Sequence, residues 1–437
     1  MHAEKTDMSR HSDRSKPEGV ARKGATTRRG NSSLLALLVR PAVNVFFCMA
    51  MLAGTARGAE YFVATNGADS RVGTGGWGDA LLTISNAVAK ATTAGDIITV
   101  SNGTYNISAQ ISVSVAVNIR SFGNGVTGGL DNAAATIVKR SGGNCRIFSI
   151  TANATLDGFT IRDGNQYSGP GAGVYMTASG AIVKNCIITG NYNTYYNLHR
   201  GGGVYMSGGV VSNCTISLNT IEFWSNNEGG GVFMDGGLLV ACRIQDNNAE
   251  QGGGGVYVNN ANATVRNCLI TGNKSGYLDR CDGHGGGVYI AAGTVENCTI
   301  VTNSANRTSA TGAYGGGIYR SGGTVTNCIV YNNRSVSSTY SNIYATAGVA
   351  YTCTTNPVVA GSGNISADPL FVNPAQTNYT LQANSPCIDT GTNQTWMTGA
   401  KDLAGGDRIL KGDKGKIVDM GCYETYVPPK GTMIILR

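Results

Sequence analysis

The chain has 437 residues, 41% of them hydrophobic, which is enough for a core; its 63 glycines are about twice the usual share and its 9 prolines are too few for collagen. The formal net charge is +7, but residues 1–59 hold ten Lys/Arg against four Asp/Glu, which leaves about +1 for the rest of the chain. A nearly neutral body argues against nucleic acid as a partner.

Residues 1–59 contain a basic head followed by a segment ordered like a secretory signal. The basic head runs up to Arg40, the stretch 41–54 is apolar, and small residues follow it. The apolar stretch is shorter than the roughly 20 residues needed to cross a bilayer. We therefore predict cleavage between Ala56 and Ala59, a secreted or cell-surface protein, and no membrane span in the mature chain.

Residues 60–106 are predicted to cap the N-terminal end of the fold. Within this region, from Ala80 to Thr93, apolar residues recur with the spacing of one helix face. This spacing predicts an amphipathic helix suited to plugging the open end of a stacked fold. The residues of this face are Leu81, Ile84, Ala87, Val88 and Ala91.

Residues 107–355 contain a repeat with a period of 24 to 32 residues, and a period of this length indicates a stacked solenoid. Each repeat has a "GGGVY"-like stretch, then a cysteine, and then an asparagine five residues beyond the cysteine. The aliphatic column is Val174, Val204, Val232, Val256, Val288 and Ile318, and the aromatic column beside it is Tyr175, Tyr205, Phe233, Tyr257, Tyr289 and Tyr319. The cysteine column is Cys186, Cys214, Cys242, Cys268, Cys298 and Cys328, and the asparagine column is Asn191, Asn219, Asn247, Asn273, Asn303 and Asn333.

Each repeat is rich in β-branched and aromatic residues interrupted by Gly and Asn, which predicts short strands. In "TVENCTI", Val295 has the opposite parity to Cys298 and Ile300, so an unbroken strand cannot point all three inward. A left-handed bend at Asn297 restores them to one side. Three strands per coil, stacked about 4.8 Å apart, predict an all-β parallel β-helix of nine to ten coils.

The "GGGVY…NC.I..N" coils resemble those of right-handed parallel β-helix proteins of the pectate-lyase-like superfamily, and are similar to repeats of polymorphic outer-membrane and adhesin proteins. Residues 356–424, with "ADPLFV", "SPCIDTG" and "DMGCYE", resemble the closing region of secreted choice-of-anchor Q proteins. They are predicted to form a C-terminal cap before a tail at 425–437. The resemblance covers about Glu60 to Glu424 and implies the fold, whereas it is unspecific for chemistry.

The twelve cysteines fall into different classes. The column cysteines would lie about 4.8 Å apart, beyond the roughly 3.5 to 4.5 Å between the β-carbons of a disulfide, so they are predicted to be core thiols. Cys387 and Cys422 lie in the two terminal motifs, and they either form a disulfide or remain two buried thiols. Cys281 lies outside every column and is the candidate exposed thiol.

The aromatic column supplies the candidate ligand-binding face. Strand alternation points the column valines inward and the aromatic residues outward. A row of aromatic rings at this spacing predicts a flat strip that can stack on sugar rings, unless the loops before each "GGG" fold over the rings and bury them. The candidate ligand-binding residues are Tyr205, Phe233, Tyr257 and Tyr289, with Arg200 and Glu228 at the edge of the strip.

Two catalytic hypotheses find little support in the residues. The "GHG" triplet around His284 resembles one that polygalacturonases of this fold use, but His284 occupies a loop position that varies from coil to coil, and the companion motifs are missing. A pectate lyase needs Ca²⁺ held by several carboxylates beside a basic residue. Since no three carboxylates share one column, we predict no cofactor and no metal, with Ca²⁺ only if the protein is a lyase.

Three functions remain open. The residues favour a non-enzymatic secreted or surface protein that binds glycans or other cell-surface polymers along one face of the solenoid. The alternatives are a polysaccharide lyase or hydrolase, and a structural stalk or adhesin. The predicted partner is a polysaccharide or cell-surface polymer, and the predicted state is a monomer.

Overall fold

The structure is a computed structural model that describes residues 58–428 except for 168, 194–198, 223–226, 277–281, 308–311, 356, 358 and 411–414. The predicted signal and Cys281 lie outside the described residues. The described residues all belong to one compact unit, Gly54–Arg437.

The chain winds through three parallel sheets in each turn, and we number these sheets in the order in which a turn visits them. The strands that the structure describes in sheet 1 are Ile111–Val113, Phe148–Ile150, Val174–Met176, Val204–Met206, Val232–Met234, Val256–Val258, Val288–Ile290, Ile318–Arg320 and Ile343–Tyr344. Sheet 2 contains Glu60–Val63, Ile97–Ser101, Asn118–Gly123, Thr155–Asp157, Ile182–Lys184, Val210–Ser212, Gly237–Val240, Ala263–Arg266, Thr294–Glu296, Thr324–Thr326 and Val349–Ala350, with Val126–Thr127 added antiparallel. Sheet 3 contains Gly103–Ile107, Thr136–Arg140, Thr160–Arg162, Ile187–Thr189, Thr215–Ser217, Arg243–Gln245, Leu269–Thr271, Thr299–Val301 and Ile329–Tyr331.

Shorter elements complete the fold. Sheet 4 consists of two-residue strands that follow sheet 3 in the regular turns: Tyr192–Asn193, Thr220–Ile221, Asn248–Ala249, Lys274–Ser275, Ser304–Ala305 and Arg334–Ser335. The strands Phe371–Asn373 and Asn378–Leu381 form an antiparallel pair. The α-helices are Ile84–Lys90 and Leu130–Ala135, and the 3-10 helices are Trp77–Asp79, Ser338–Tyr340, Pro374–Gln376 and Thr395–Met397.

The regular solenoid has about 7 turns. Among the described residues, seven consecutive turns, from Phe148 to Ser335, place a strand in each of sheets 1 to 3 without an inserted element. The turn before them is interrupted by the helix Leu130–Ala135, and the turn after them has only two-residue strands. The predicted nine to ten coils are therefore too many, because the segments at both ends keep the strand pattern without completing a regular turn.

The predicted bend before each column cysteine is confirmed. At all six positions the backbone is left-handed, with φ between 48° and 55°, including Ala241, the one position that is not asparagine. The column valines and cysteines consequently share one interior: Val295, Cys298 and Ile300 are completely buried. The cysteines of this column are free thiols, as predicted.

The asparagine column forms a continuous ladder inside the solenoid. The Nδ2 atom of Asn191 donates to Oδ1 of Asn219 at 2.9 Å, and the same bond repeats from turn to turn. The ladder ends where Nδ2 of Asn333 donates to Oδ1 of Asn342 at 3.1 Å. Each side-chain amide thus satisfies the next one, which is how these buried polar groups avoid the cost of losing water.

The N-terminal helix is present but is shorter than predicted. It begins after Thr83, whose hydroxyl accepts from the backbone N–H of Asn86, while Asp69 accepts from the backbone N–H groups of Leu82 and Thr83. The predicted apolar face packs into the core of the solenoid. The residues of this face are Leu81, Ile84, Ala87 and Ala91, all buried, and Val88, partly buried.

The C-terminal region, predicted as a cap, lies along the outer side of sheet 3. Its apolar residues form a second core cluster with Leu269, Val301 and Ile329, which point outward from sheet 3 because their neighbours point inward. The backbone N–H of Gly421 donates to the carbonyl of Asn327 at 2.8 Å and joins the two layers. Much of the outer face of sheet 3 is therefore covered.

The disulfide between Cys387 and Cys422 is not formed, and both residues are buried free thiols. Cys387 lies beside Cys353 of the last turn, and this neighbouring thiol raises the pKa of Cys387. Cys422 lies against sheet 3, where its backbone N–H donates to the hydroxyl of Thr299 at 3.1 Å. The two terminal motifs are hydrogen-bonded to each other, with the backbone N–H of Met420 donating to the carbonyl of Cys387 at 3.0 Å. The cysteines nevertheless stay unpaired, which leaves the alternative of two buried thiols.

A buried charge cluster holds the C-terminal region together. Arg408 is fully buried, and its Nη2 donates to the carbonyl oxygens of Asp419 at 3.0 Å and Gly421 at 2.6 Å. Its Nη1 lies 3.8 Å from the carboxylate of Glu424. Burial raises the pKa of Asp419 to about 7 and that of Glu424 to about 8. Both carboxyl groups lie near the single guanidinium of Arg408.

Candidate functional site

The outward aromatic residues of sheet 1 form an aromatic ladder rather than a flat strip. The ring centroids of Tyr205, Phe233, Tyr257 and Tyr289 follow one another at 5.7, 5.1 and 4.5 Å, with interplanar angles of 6° to 11°. A ring is too wide to lie flat beside another ring at the turn spacing of about 4.8 Å. The rings therefore stack face to face, and the prediction of a flat strip is wrong.

The middle of the aromatic ladder is covered by the preceding loops. Phe233 is 0% exposed and Tyr257 is 8% exposed, whereas Tyr205 and Tyr289 are partly buried. The guanidinium of Arg200 lies 4.7 Å from the ring centroid of Phe233. The alternative of buried rings therefore holds at Phe233 and Tyr257, and these rings cannot offer their faces to a sugar.

The covering residues form a second layer with its own turn-to-turn register. Arg200, Glu228, Gly252 and His284 are bridged in sequence from one turn to the next. Arg200 also forms an ion pair with Glu228 at 3.3 Å. His284 stacks on Tyr319 at 4.4 Å, and burial lowers its pKa. The variable position before each "GGG" thus packs against the aromatic ladder whatever residue occupies it.

Burial keeps Tyr205 and Tyr257 of the ladder protonated. Burial, followed by the charge of Glu228, raises the pKa of Tyr257, and burial, followed by the charge of Asp235, raises the pKa of Tyr205. Their hydroxyl groups therefore remain hydrogen-bond donors at neutral pH. The Tyr205 hydroxyl donates a long hydrogen bond to Asp235 at 3.5 Å, which connects the ladder to the next corner of the solenoid.

A groove of about 490 Å³ lies at this corner, where the chain passes from sheet 1 to sheet 2. It crosses four successive turns, and each turn contributes polar groups to its lining. We call it the corner groove. Its polar lining residues are Ser179, Ser207, Asp235, Asn262, Thr264 and Arg266.

The floor of the corner groove is made of glycine. Gly209 and Gly237 have φ of 74° and 85°, which L side chains rarely adopt. A Cβ atom on Gly237 would lie 2.7 Å from the carbonyl oxygen of Gly209, one turn away. The groove therefore exists because side chains are excluded from its floor.

The charged groups of the corner groove are held in defined places. Asp235 accepts from Nδ2 of Asn259 at 2.8 Å in addition to its contact with Tyr205. Arg266 is paired with Glu296, with 2.6 Å between Nε and Oε1, and its guanidinium lies 4.3 Å from the ring of Trp396. An aromatic ring, an ion pair and a carboxylate thus border one open surface.

The outer face of sheet 2 is the least covered of the three long sheets. Sheet 3 carries the C-terminal region and sheet 1 carries the second layer, whereas Ile182, Val210 and Leu238 on sheet 2 are only partly buried. These three residues occupy equivalent positions in adjacent turns. The corner groove thus borders an open, partly apolar strip.

The structure brings the predicted site residues together only in part. Arg200, Glu228, Phe233 and Tyr257 meet in the covered middle of the ladder, and Tyr205 contacts the corner groove through Asp235. Sequence reasoning missed the groove itself. The signal was present in the small residues after the aromatic strands and in the "GG" pairs at 208–209 and 236–237.

The described residues hold no group of three His, Cys, Asp or Glu side chains placed to bind a metal ion. No described helix is long and apolar enough to cross a bilayer.

A family model described as "right handed beta helix region" matches residues 92–365, which is more than half of the chain. The chain belongs to the right-handed β-helix family. This match confirms the resemblance of the coils, while the resemblance of the region 356–424 to choice-of-anchor Q proteins stays a prediction. No curated protein matches the chain significantly.

Solved structures share this β-helix fold at low identity. A pectate lyase, Pel9A, is 16% identical with a TM-score of 0.54, and the alignment covers 85% of this chain and 97% of that one. The pectin methylesterase from Aspergillus niger is 12% identical with a TM-score of 0.36, covering 61% and 85%. A rhamnogalacturonan lyase is 14% identical with a TM-score of 0.35, covering 74% and 95%. At these identities the similarity concerns the fold alone.

Proposed function

We propose that this β-helix protein is secreted or displayed at the cell surface, and that as a monomer it binds a polysaccharide or similar surface polymer along the corner groove without cleaving it. The supporting observation is that the groove crosses four successive turns. Four turns span about 14 Å at the turn spacing, so an extended chain can lie across several of them.

The chemistry of the lining suits a polymer rich in hydroxyl groups. Hydroxyl, amide and carboxylate groups donate to and accept from sugar hydroxyls. The partly buried Leu238 and the ring of Trp396 add apolar surface near these groups. This combination of apolar surface and a few placed polar groups is typical of ligand sites.

In this proposal the aromatic ladder has a positioning role. Tyr205 holds Asp235, and the stacked rings on either side hold Tyr205 at 5.3 Å from Tyr175 and 5.7 Å from Phe233. The candidate residues of the ladder then act through the groove rather than by stacking on sugar.

A polysaccharide array with the secreted protein tests the proposal, followed by affinity measurements on every polymer that binds. Ser179 and Asn262 are exposed and lie in the first and last of the four turns. Changing both to Ala should weaken binding about tenfold, since it removes hydrogen bonds worth about 0.5 to 1.5 kcal/mol each. Ser114→Ala is the matched control, because Ser114 is exposed and follows the sheet 1 strand Ile111–Val113, outside the groove.

Three results would contradict the proposal. Failure of the wild type to bind any polysaccharide would favour the structural stalk. Binding of the double variant as tight as that of the Ser114→Ala control would place the binding site elsewhere. Cleavage of a bound polymer, detected as new reducing ends or unsaturated products, would favour the lyase or hydrolase. We also propose that binding needs no metal, so EDTA should leave the affinity unchanged.

A further inference from the structure

The charged residues along the corner groove leave a net negative charge. Asp235 contributes a carboxylate, and within the described residues its oxygens accept from Tyr205 and Asn259, which are uncharged. The cation of the lining, Arg266, is neutralised by Glu296 at 2.6 Å. The lining and its ion-pair partner together therefore carry one net negative charge.

The arrangement of Arg266 restricts it further as a ligand for anions. Its Nε faces Glu296, whose side chain is only 6% exposed, and the ring of Trp396 lies over the guanidinium at 4.3 Å. An incoming carboxylate would therefore meet a guanidinium whose charge Glu296 already balances. The structure thus gives the groove a fixed acceptor in Asp235 and a cation that is already paired.

We propose that the corner groove selects an uncharged polysaccharide and rejects chains of uronic acids, a specificity that rests on the proposed function. Sugar hydroxyl groups donate charge-assisted hydrogen bonds to Asp235. A polyuronate offers the same hydroxyls but adds negative charges that Asp235 repels. Selectivity follows from this repulsion and from the lack of an unpaired cation among the described lining residues.

The test uses polysaccharides that share a backbone and differ in charge: hydroxyethyl and carboxymethyl cellulose, galactan and polygalacturonate, and xylan and glucuronoxylan. Wild-type protein at low ionic strength should bind the neutral member of a pair at least tenfold more tightly than the acidic member. Raising the salt concentration should reduce this ratio of affinities, because salt screens the repulsion and the acidic member then binds more tightly.

A variant that removes the charge of Asp235 tests whether this residue causes the preference for neutral polysaccharides. Asp235→Asn keeps an acceptor oxygen and should reduce the preference for the neutral member to less than threefold. Asp246→Asn removes the same charge from an exposed turn between sheets 3 and 4, and it should keep the wild-type preference. Thermal melts of both variants check that folding is intact, and the salt series on wild type decides the question if Asp235→Asn does not fold.

The outcomes separate the two proposals. Tighter binding of an acidic member than of its neutral partner would overturn the inference while the proposed function stands. An equal preference in Asp235→Asn and wild type would also overturn it. If no polysaccharide binds, the proposed function fails and the inference fails with it.

Discussion

Single residues in the left-handed conformation set the path of every turn. The bend before each column cysteine costs a residue with a β-carbon about 1 to 2 kcal/mol, and asparagine lowers this cost because its side chain bonds locally. At Asn213 φ is 48°, and here the side chain bonds to the neighbouring turn instead, its Nδ2 donating to Oδ1 of Asn185 at 2.7 Å. Ala241 adopts the same conformation without this help.

We expect Asn213→Ala to lower the free energy of unfolding by about 1 kcal/mol, because alanine carries the full cost of the left-handed bend. Asn213→Gly should cost less, since glycine adopts positive φ freely. Chemical denaturation of the two variants measures the difference. Equal losses for Ala and Gly would mean that the amide hydrogen bond, and not the backbone, accounts for the effect.

Phe233 should behave as a core residue although it points away from the interior. Its ring is fully buried between Tyr205 and Tyr257, so Phe233→Ala should cost about 3 to 5 kcal/mol. Tyr175→Ala, nearer the N-terminal end of the ladder where the ring is partly buried, should cost clearly less. Thermal melts compare the two, and a near-wild-type melting temperature for Phe233→Ala would show that the second layer does not cover the ring in solution.

At the scale of elements, the C-terminal region packs against the solenoid. The buried charge cluster of this region makes the stability of the protein depend on pH. Asp419 and Glu424 have pKa values of about 7 and about 8 in the folded state, well above those of free carboxyl groups. The folded state therefore binds more protons than the unfolded state between about pH 4 and pH 8. Their contribution to stability is complete below about pH 4 and is lost as the pH rises through 7 to 8.

We accordingly expect the melting temperature to fall between pH 5 and pH 9. Glu424→Gln removes one of the two carboxyl groups and should flatten this decrease, because glutamine keeps the shape without a titrating proton. Calorimetry at several pH values measures both slopes. A melting temperature that rises with pH across this range would contradict the raised pKa values.

At the scale of elements, repeated features were predictable and irregular ones were not. Parity and the tolerance of Asn297 for positive φ predicted the bend, and the period predicted which residues stack. The alternation of side chains along a strand predicts the side of the sheet on which Phe233 lies. It does not predict the tilt of the ring, which the turn spacing determines. The partner of Cys387 depends on where a non-repeating segment docks, and no periodic pattern encodes this.

The sequence predicted the region in which the candidate site lies but not the site itself. The corner groove arises where side chains are missing at Gly209 and Gly237, and its lining comes from residues in four different turns. Sequence reasoning about exposed aromatic residues pointed to the adjacent ladder, because aromatic residues are conspicuous in a pattern and an empty floor is not.

In the whole molecule, the stability of each turn depends on the two turns beside it, because each turn packs only against its neighbours. Val256 lies in the middle of the regular turns and is completely buried. Val256→Asp places an unpaired charge there, and we expect severe loss of stability together with new protease cleavage near the middle of the stack. Limited proteolysis and melts test this, and wild-type resistance would contradict the inward position of the valine column.

The glycine turns between sheets 1 and 2 also influence how the gene for such a protein can change during evolution. A β-carbon at Gly209 or Gly237 would already meet a carbonyl oxygen of the preceding turn, so a side chain has no room at these two positions of the corner. The loops that follow sheet 4 vary enough to give periods of 24 to 32 residues. Small insertions and deletions are therefore tolerated in those loops, whereas the solenoid lengthens by duplication of whole turns, each adding about 4.8 Å.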